Sequence, residues 1–211
     1  MNNYEQIFFS GKRFPESNQA IVMVHGRGGT GEDIMNSLSK ALHLNDFYIV
    51  APDAEHQSWY PYSFLEPKSK NEPYLTNSLN LLKDIVDNLV KTGYPTEAIY
   101  LLGFSQGACL TLEFAAQHAR RYGGVFALSG GLIGDELNVS DYTGNFEGTP
   151  VFLGCSDIDS HIPLGRVKDS TELLLDRGAT VYEKIYPGMG HTINQDEIKM
   201  VTELIKYGRI Q

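Results

Sequence analysis

"AIYLLGFSQG", residues 98–107, decides how the rest of the chain is read. A short apolar run stops at Gly103-Phe104-Ser105-Gln106-Gly107, which fits G-x-S-x-G, the sharp strand-to-helix turn that lifts a serine hydroxyl above a sheet. That turn strains the serine backbone and brings neighbouring elements too close for a side chain on either flank, so glycine on both sides has a physical purpose. Ser105 becomes a candidate nucleophile.

Outward from this turn, further short apolar runs repeat along the chain: "QIFFSG", "AIVMVHG", "FYIVAPD", "GGVFALSG", "PVFLGC" and "TVYEKIYPG". Longer amphipathic stretches lie between them. The clearest spans residues 73 to 91, where Leu75, Leu79, Leu82, Ile85, Val86 and Leu89 form one apolar face while Lys83, Asp84 and Asp87 stay in water. Gly93 and Pro95 end it. Helices are also expected from Glu32 to about Leu42, Gln106 to Arg120, about Pro163 to Arg177, and Gln195 to Tyr207. Strands of continuous apolar character joined by crossover helices describe an α/β fold, with a mainly parallel central sheet and helices on both faces. No repeat, low-complexity tract or domain boundary is visible, so residues 1–211 are expected to form a single domain.

Composition narrows the function classes. With 42% hydrophobic and 20% charged residues the chain is ordinarily globular, and a net charge of -9 argues against nucleic acid or an anionic membrane as partner. Nowhere do about eighteen apolar residues run uninterrupted, and the N-terminus has no charged-then-apolar signal layout, so no stable membrane insertion is expected. The two cysteines, Cys109 and Cys155, sit in or beside apolar runs without C-x-x-C spacing, and read as buried thiols in a reducing, cytoplasmic compartment.

Residues 21 to 33, "IVMVHGRGGTGED", raise a rival reading. Gly26, Gly28 and Gly31 fall at G-x-G-x-x-G spacing, and Asp53 ends a later apolar run about where a dinucleotide-binding protein places its ribose acid. Against this, Glu32 and Asp33 sit in the first turn of the expected helix, where they interact with its dipole and would repel a pyrophosphate. Asp53 then only caps or solvates a strand end.

A serine hydroxyl needs a base to take its proton and an acid to orient that base. In an open parallel sheet such groups gather at the carboxyl ends of strands. "CSDIDSHIP" (155–163) offers Asp157 and Asp159 after one run, and "GMGHT" (188–192) offers His191 after another. The order serine, acid, histidine is the one expected with this serine turn. His118 and His161 read as solvated bystanders.

With "GFSQG", "DSHIP" and "GMGHT" together, the chain resembles the carboxylesterase/phospholipase family of α/β-hydrolases, whose relatives include acyl-protein thioesterases. The resemblance spans nearly the whole chain. It implies an α/β-hydrolase fold without a separate lid domain, Ser105 as nucleophile and His191 as base. For the acid, counting back from Pro163 selects Asp159 and counting forward from Gly154 selects Asp157; "DSHIP" favours Asp159, with Asp157 as the alternative. The resemblance also reads the early glycine loop as one side of an oxyanion hole, with the amides of Arg27 and Gln106 as donors. Trp59, in "HQSWYPYSF" (56–64), and Met189 are the implied substrate-binding residues, although a simply packed loop explains the aromatic cluster equally well. The implied reaction is hydrolysis of a small-molecule ester or thioester, or of a lysophospholipid, with no metal or cofactor and a homodimer permitted. An amidase or peptidase with the same triad, and a non-catalytic small-molecule binder on this fold, are the alternatives.

Overall fold

The structure, a computed structural model, describes residues 6–210. Each apolar run forms a strand: β1 (Ile7–Ser10), β2 (Gln19–Val24), β3 (Phe47–Pro52), β4 (Ile99–Phe104), β5 (Gly124–Leu128), β6 (Pro150–Ser156) and β7 (Thr180–Tyr186). They pair in the order β1-β3-β2-β4-β5-β6-β7. Every neighbouring pair is parallel except β1 with β3. Four helices connect strands, α1 (Gly31–Leu38), α2 (Tyr74–Thr92), α3 (Gln106–Gln117) and α4 (Leu164–Asp176), and α5 (Gln195–Tyr207) follows β7.

The absence of polar alternation in the central runs has a direct cause, since β3, β5 and β6 are buried along their whole length and β2 and β4 along all but one residue. On β2, Ala20, Val22 and Val24 pack with the apolar faces of α2, α3 and α4, while Ile21 and Met23 point the other way, toward α1 and α5. The six apolar residues of the 73–91 pattern are the buried residues of α2.

Two helices stop short of their expected ends. α1 closes at Leu38, yet Leu42 is buried in the following turn, its amide donating to Leu38 O at 2.9 Å, so the apolar period outlasts the helix. α3 stops at Gln117 because His118 leaves helical geometry (φ -120, ψ 40) and stacks on Phe114. His118 is a half-buried helix-end residue rather than a solvated bystander.

The sheet order places the site. From β2 the chain goes first to β3 on one side and later to β4 on the other, so the strand order reverses between β2 and β4. A crevice opens at the carboxyl ends of strands at such a switch point. The glycine-rich turn after β2 and the serine turn after β4 are therefore neighbours, with Val24 in register with Gly103.

Candidate active site

Ser105 sits between β4 and α3 with φ 55 and ψ -120, a conformation that costs a non-glycine residue roughly 1–3 kcal/mol. Its amide donates to Leu128 O at 3.0 Å, tying the turn to β5. A Cβ at Gly107 would lie 2.1 Å from Val24 O, and one at Gly103 would lie 2.3 Å from Gly107 O. Only glycine lets α3 start this close to β2 and hold the hydroxyl above the sheet.

His191 lies in the turn between β7 and α5, and its Nε2 is 2.7 Å from Ser105 Oγ. Its Nδ1 is 2.7 Å from Asp159 Oδ2, in the loop after β6. A carboxylate only accepts, so Nδ1 carries the imidazole proton and donates it to Asp159, which leaves Nε2 free to accept from the serine hydroxyl. The Asp159 side chain is buried, and its other oxygen accepts the amides of His161 (2.8 Å) and Ile162 (3.1 Å). Burial alone would push its carboxyl up; the His191 hydrogen bond and the two amides outweigh it and hold the group below its ordinary range. Asp157 instead accepts the amide of Gly188. Two carboxylates two residues apart thus have separate tasks, one on the histidine ring and one on the turn that carries it.

That turn has a second support. Gly190 donates its amide to Ser156 Oγ at 3.2 Å, and Asn194 and Glu197 form a reciprocal cap at the start of α5. Glu197 is fully buried; one carboxylate oxygen accepts the Asn194 amide at 2.9 Å and the other has no partner among the described residues. Burial pushes its carboxyl up to about 7.

The glycine-rich turn after β2 takes a form unlike a nucleotide loop. The amide of Gly31, at the N-terminus of α1, donates to Asp53 Oδ1 at 2.6 Å, so the chain's own carboxylate occupies the place a pyrophosphate would take. A Cβ at Gly31 would lie 2.4 Å from Ala51 O, so this glycine brings α1 against β3. Asp53 caps a helix rather than a strand end. His25 is buried and neutral. Its Nε2 accepts the Ala54 amide at 3.0 Å and its Nδ1 donates to Gly26 O at 2.7 Å; burial lowers its pKa despite that bond.

A groove of about 490 Å³ opens over Ser105 and His191, lined in part by Arg27, Tyr60, Pro61, Tyr62, Phe64 and Ile162. The wall segment Ser58–Ser63 is neither helix nor strand, and side chains from distant elements satisfy its backbone. The Arg27 guanidinium donates to the carbonyls of Tyr60 (2.8 Å), Pro61 (3.1 Å) and Tyr62 (3.0 Å) and to Ser58 Oγ (2.8 Å). Gln106 accepts the Trp59 amide through Oε1 (3.0 Å) and donates through Nε2 to Tyr60 O (2.8 Å). Asn71 and Ser78 hold the Tyr62 amide, the Ser63 carbonyl and the Trp59 carbonyl. The sequence foretold none of this, because an arginine or glutamine clamp across the fold leaves no spacing signal.

Several expected site residues stand elsewhere. Trp59 is 1% exposed, its ring against His25 and its indole N–H donating to His25 O at 2.8 Å, so it props the wall from behind and is not a groove-lining residue. Met189 is half-buried beside Asn194, with Sδ facing its amide nitrogen, and also lies off the groove lining. Neither residue is among those lining the groove, whereas Tyr60 and Tyr62, beside Trp59 in sequence, are. His161 is exposed, as expected, with its ring 4.8 Å from the His191 ring on the groove and its backbone amide on Asp159. Cys109 and Cys155 are free and buried, and burial pushes both thiols up to about 12. Among the described residues no cluster of three or more His, Cys, Asp or Glu side chains is arranged to hold a metal ion, and no helix is long and apolar enough to cross a membrane.

Comparison with known proteins identifies the family. The phospholipase/carboxylesterase family model matches residues 9–208. Acyl-protein thioesterase 1 of Saccharomyces cerevisiae is 28% identical, over 90% of this chain and 92% of that protein. The crystal structure of a phospholipase/carboxylesterase from Dyadobacter fermentans is 47% identical, superposes with a TM-score of 0.93, and the match covers 95% of this chain and 96% of that one. The Bacillus cereus carboxylesterase shares the fold at 17% identity, with a TM-score of 0.80 over 99% of this chain and 96% of that one. With its α/β-hydrolase sheet and its serine turn at the switch point, the chain belongs to the phospholipase/carboxylesterase family and is an ester hydrolase.

Proposed function

We propose that the chain, acting as a single domain, hydrolyses carboxylic esters and thioesters of small to medium acyl groups in two steps on Ser105. The observation that carries the reading is the unbroken chain Ser105 Oγ, His191 Nε2, His191 Nδ1, Asp159 Oδ2, with 2.7 Å at both hydrogen bonds. His191 takes the hydroxyl proton as Ser105 attacks the carbonyl carbon, and the imidazolium then returns it to the departing alcohol or thiol. Water, deprotonated by the same histidine, releases the acid and restores the serine. Asp159 keeps Nδ1 protonated and stabilises the imidazolium; its lowered pKa keeps it ionised at neutral pH.

The negative charge on the tetrahedral oxygen is bound by the amides of Arg27 and Gln106. Gln106 is the first residue of α3, where an amide has no acceptor within its own helix. The Gly28 and Gly29 amides are committed to the Gln57 and Gly26 carbonyls, so the assignment on the β2 side falls to Arg27. Thioester cleavage is supported by the yeast thioesterase relative, and a lysophospholipid would present the same carbonyl chemistry. The free, buried cysteines agree with a cytoplasmic setting.

Turnover of p-nitrophenyl acetate tests the reading. The native chain releases p-nitrophenol, and Ser105→Ala and His191→Ala lower kcat by about 10⁴-fold or more. A native chain that is inert, or variants that keep its rate, would overturn it.

A further inference from the structure

Arg27 and Gln106 have a second task that their amides do not explain. Their side chains come from the ends of β2 and β4, yet both reach the same irregular stretch: Arg27 binds three consecutive carbonyls, Tyr60 to Tyr62, and Gln106 binds the Trp59 amide and the Tyr60 carbonyl. Ser58 Oγ lies between them, accepting from Arg27 at 2.8 Å and from Gln106 at 3.4 Å and donating to Tyr60 O at 2.9 Å. The chain enters this stretch through His56 and Gln57, both at positive φ (52 and 57), so the wall starts from strained backbone that something must hold. No strand pairing does so. With their carbonyls turned to the guanidinium, Tyr60, Pro61 and Tyr62 line the groove.

We propose that the Arg27 and Gln106 side chains are positioning groups that lock the groove wall to the oxyanion site, so that selection among acyl chains and binding of the carbonyl charge are set by one connected unit. The proposal rests on the hydrolase reading above and goes beyond it: the wall is rigid only while the clamp is intact. A rigid wall at a fixed distance from the carbonyl discriminates sharply between acyl lengths. A loosened wall averages over positions and discriminates less.

The test is the acyl-length profile of kcat/KM on p-nitrophenyl esters from acetate to decanoate, for the native chain, Arg27→Ala, Arg27→Lys and Ser58→Ala. Each variant keeps the backbone amide at its position. In Arg27→Ala the ratio between best and worst chain lengths falls about 5-fold or more, alongside a general loss of kcat, and added guanidinium ion restores part of the ratio. Arg27→Lys, which offers one ammonium in place of a planar fork, behaves like the alanine variant. Ser58→Ala, which removes only the shared hydroxyl, flattens the profile about 2-fold and serves if the arginine variants do not fold. A profile of unchanged shape in Arg27→Lys and Ser58→Ala, whatever the overall rate, would overturn the coupling. A native chain inert toward the whole series would overturn the hydrolase reading and the coupling with it, a pattern distinct from an active enzyme whose profile does not respond.

Discussion

Ser105 and the wall opposite the β2 turn line one groove but are held by different means. The serine turn is bounded by β4 and α3, its amide is tied to β5, Gly107 admits the backbone of β2, and Gly103 admits the start of α3. The wall from Ser58 to Ser63 has no regular element, and Arg27, Gln106, Asn71 and Ser78 supply its hydrogen bonds from as far as 48 residues away in sequence. The first region is fixed by the sheet, which cannot shift without disrupting the core. The second is fixed by a few polar side chains and can be retuned one residue at a time. Arg27 and Gln106 join the two regions, since both lie on turns beside Ser105 and both hold the wall.

Four substitutions sharpen this contrast, beginning with the largest effect. Asp159→Asn removes the acceptor that keeps Nδ1 protonated and lowers kcat on p-nitrophenyl acetate by about 10⁴-fold, whereas Asp157→Asn, which touches only the Gly188 amide, lowers it less than about 10-fold. Comparable losses from both would mean that the turn, rather than the ring contact, is what the sheet end supplies.

Glu197 tests the support beneath His191 through pH. Its carboxyl is raised to about 7 from an ordinary 4.5, so the folded chain holds this proton more tightly than the unfolded one. The resulting stabilisation is complete below about pH 4.5 and is lost as pH rises through about 7, amounting to roughly 3 kcal/mol. Glu197→Gln keeps an acceptor for the Asn194 amide but cannot titrate. Its urea midpoint therefore gains on that of the native chain between pH 5 and pH 8, and parallel pH profiles would contradict the burial account.

On the wall side, Trp59→Phe removes the indole bond to His25 O and costs about 1–2 kcal/mol of unfolding free energy, while KM for short esters changes less than about 2-fold. A large KM change with no loss of stability would return Trp59 to the groove.

The legibility of the sequence divides along the same line. All seven strands are visible in it because five are almost wholly buried and β1 and β7 pack partly buried side chains on the core, and Ser105, Asp159 and His191 because each comes after such a run. Asp159, not Asp157, meets the His191 ring because it comes before Ile162 and Pro163, where the loop folds back and two amides converge on one carboxylate oxygen. The two readings of Trp59, packed loop and groove wall, are equal in the sequence because an aromatic cluster shows that apolar surface is needed but not which ring turns inward. The Arg27 clamp is invisible because no sequence period links a guanidinium to three carbonyls over thirty residues away. The acidic first turn of α1 already frees Asp53 from any ribose, but its true partner, the Gly31 amide, requires the α1–β3 contact that only the fold supplies.

The central claim is that Ser105 is an activated nucleophile, and labelling with a fluorophosphonate probe tests it most directly. The account predicts one covalent adduct, mapped by mass spectrometry to the peptide containing Ser105, at a rate greatly reduced in His191→Ala and absent in Ser105→Ala. An unlabelled native chain, or equal labelling of Ser105→Ala, would contradict it.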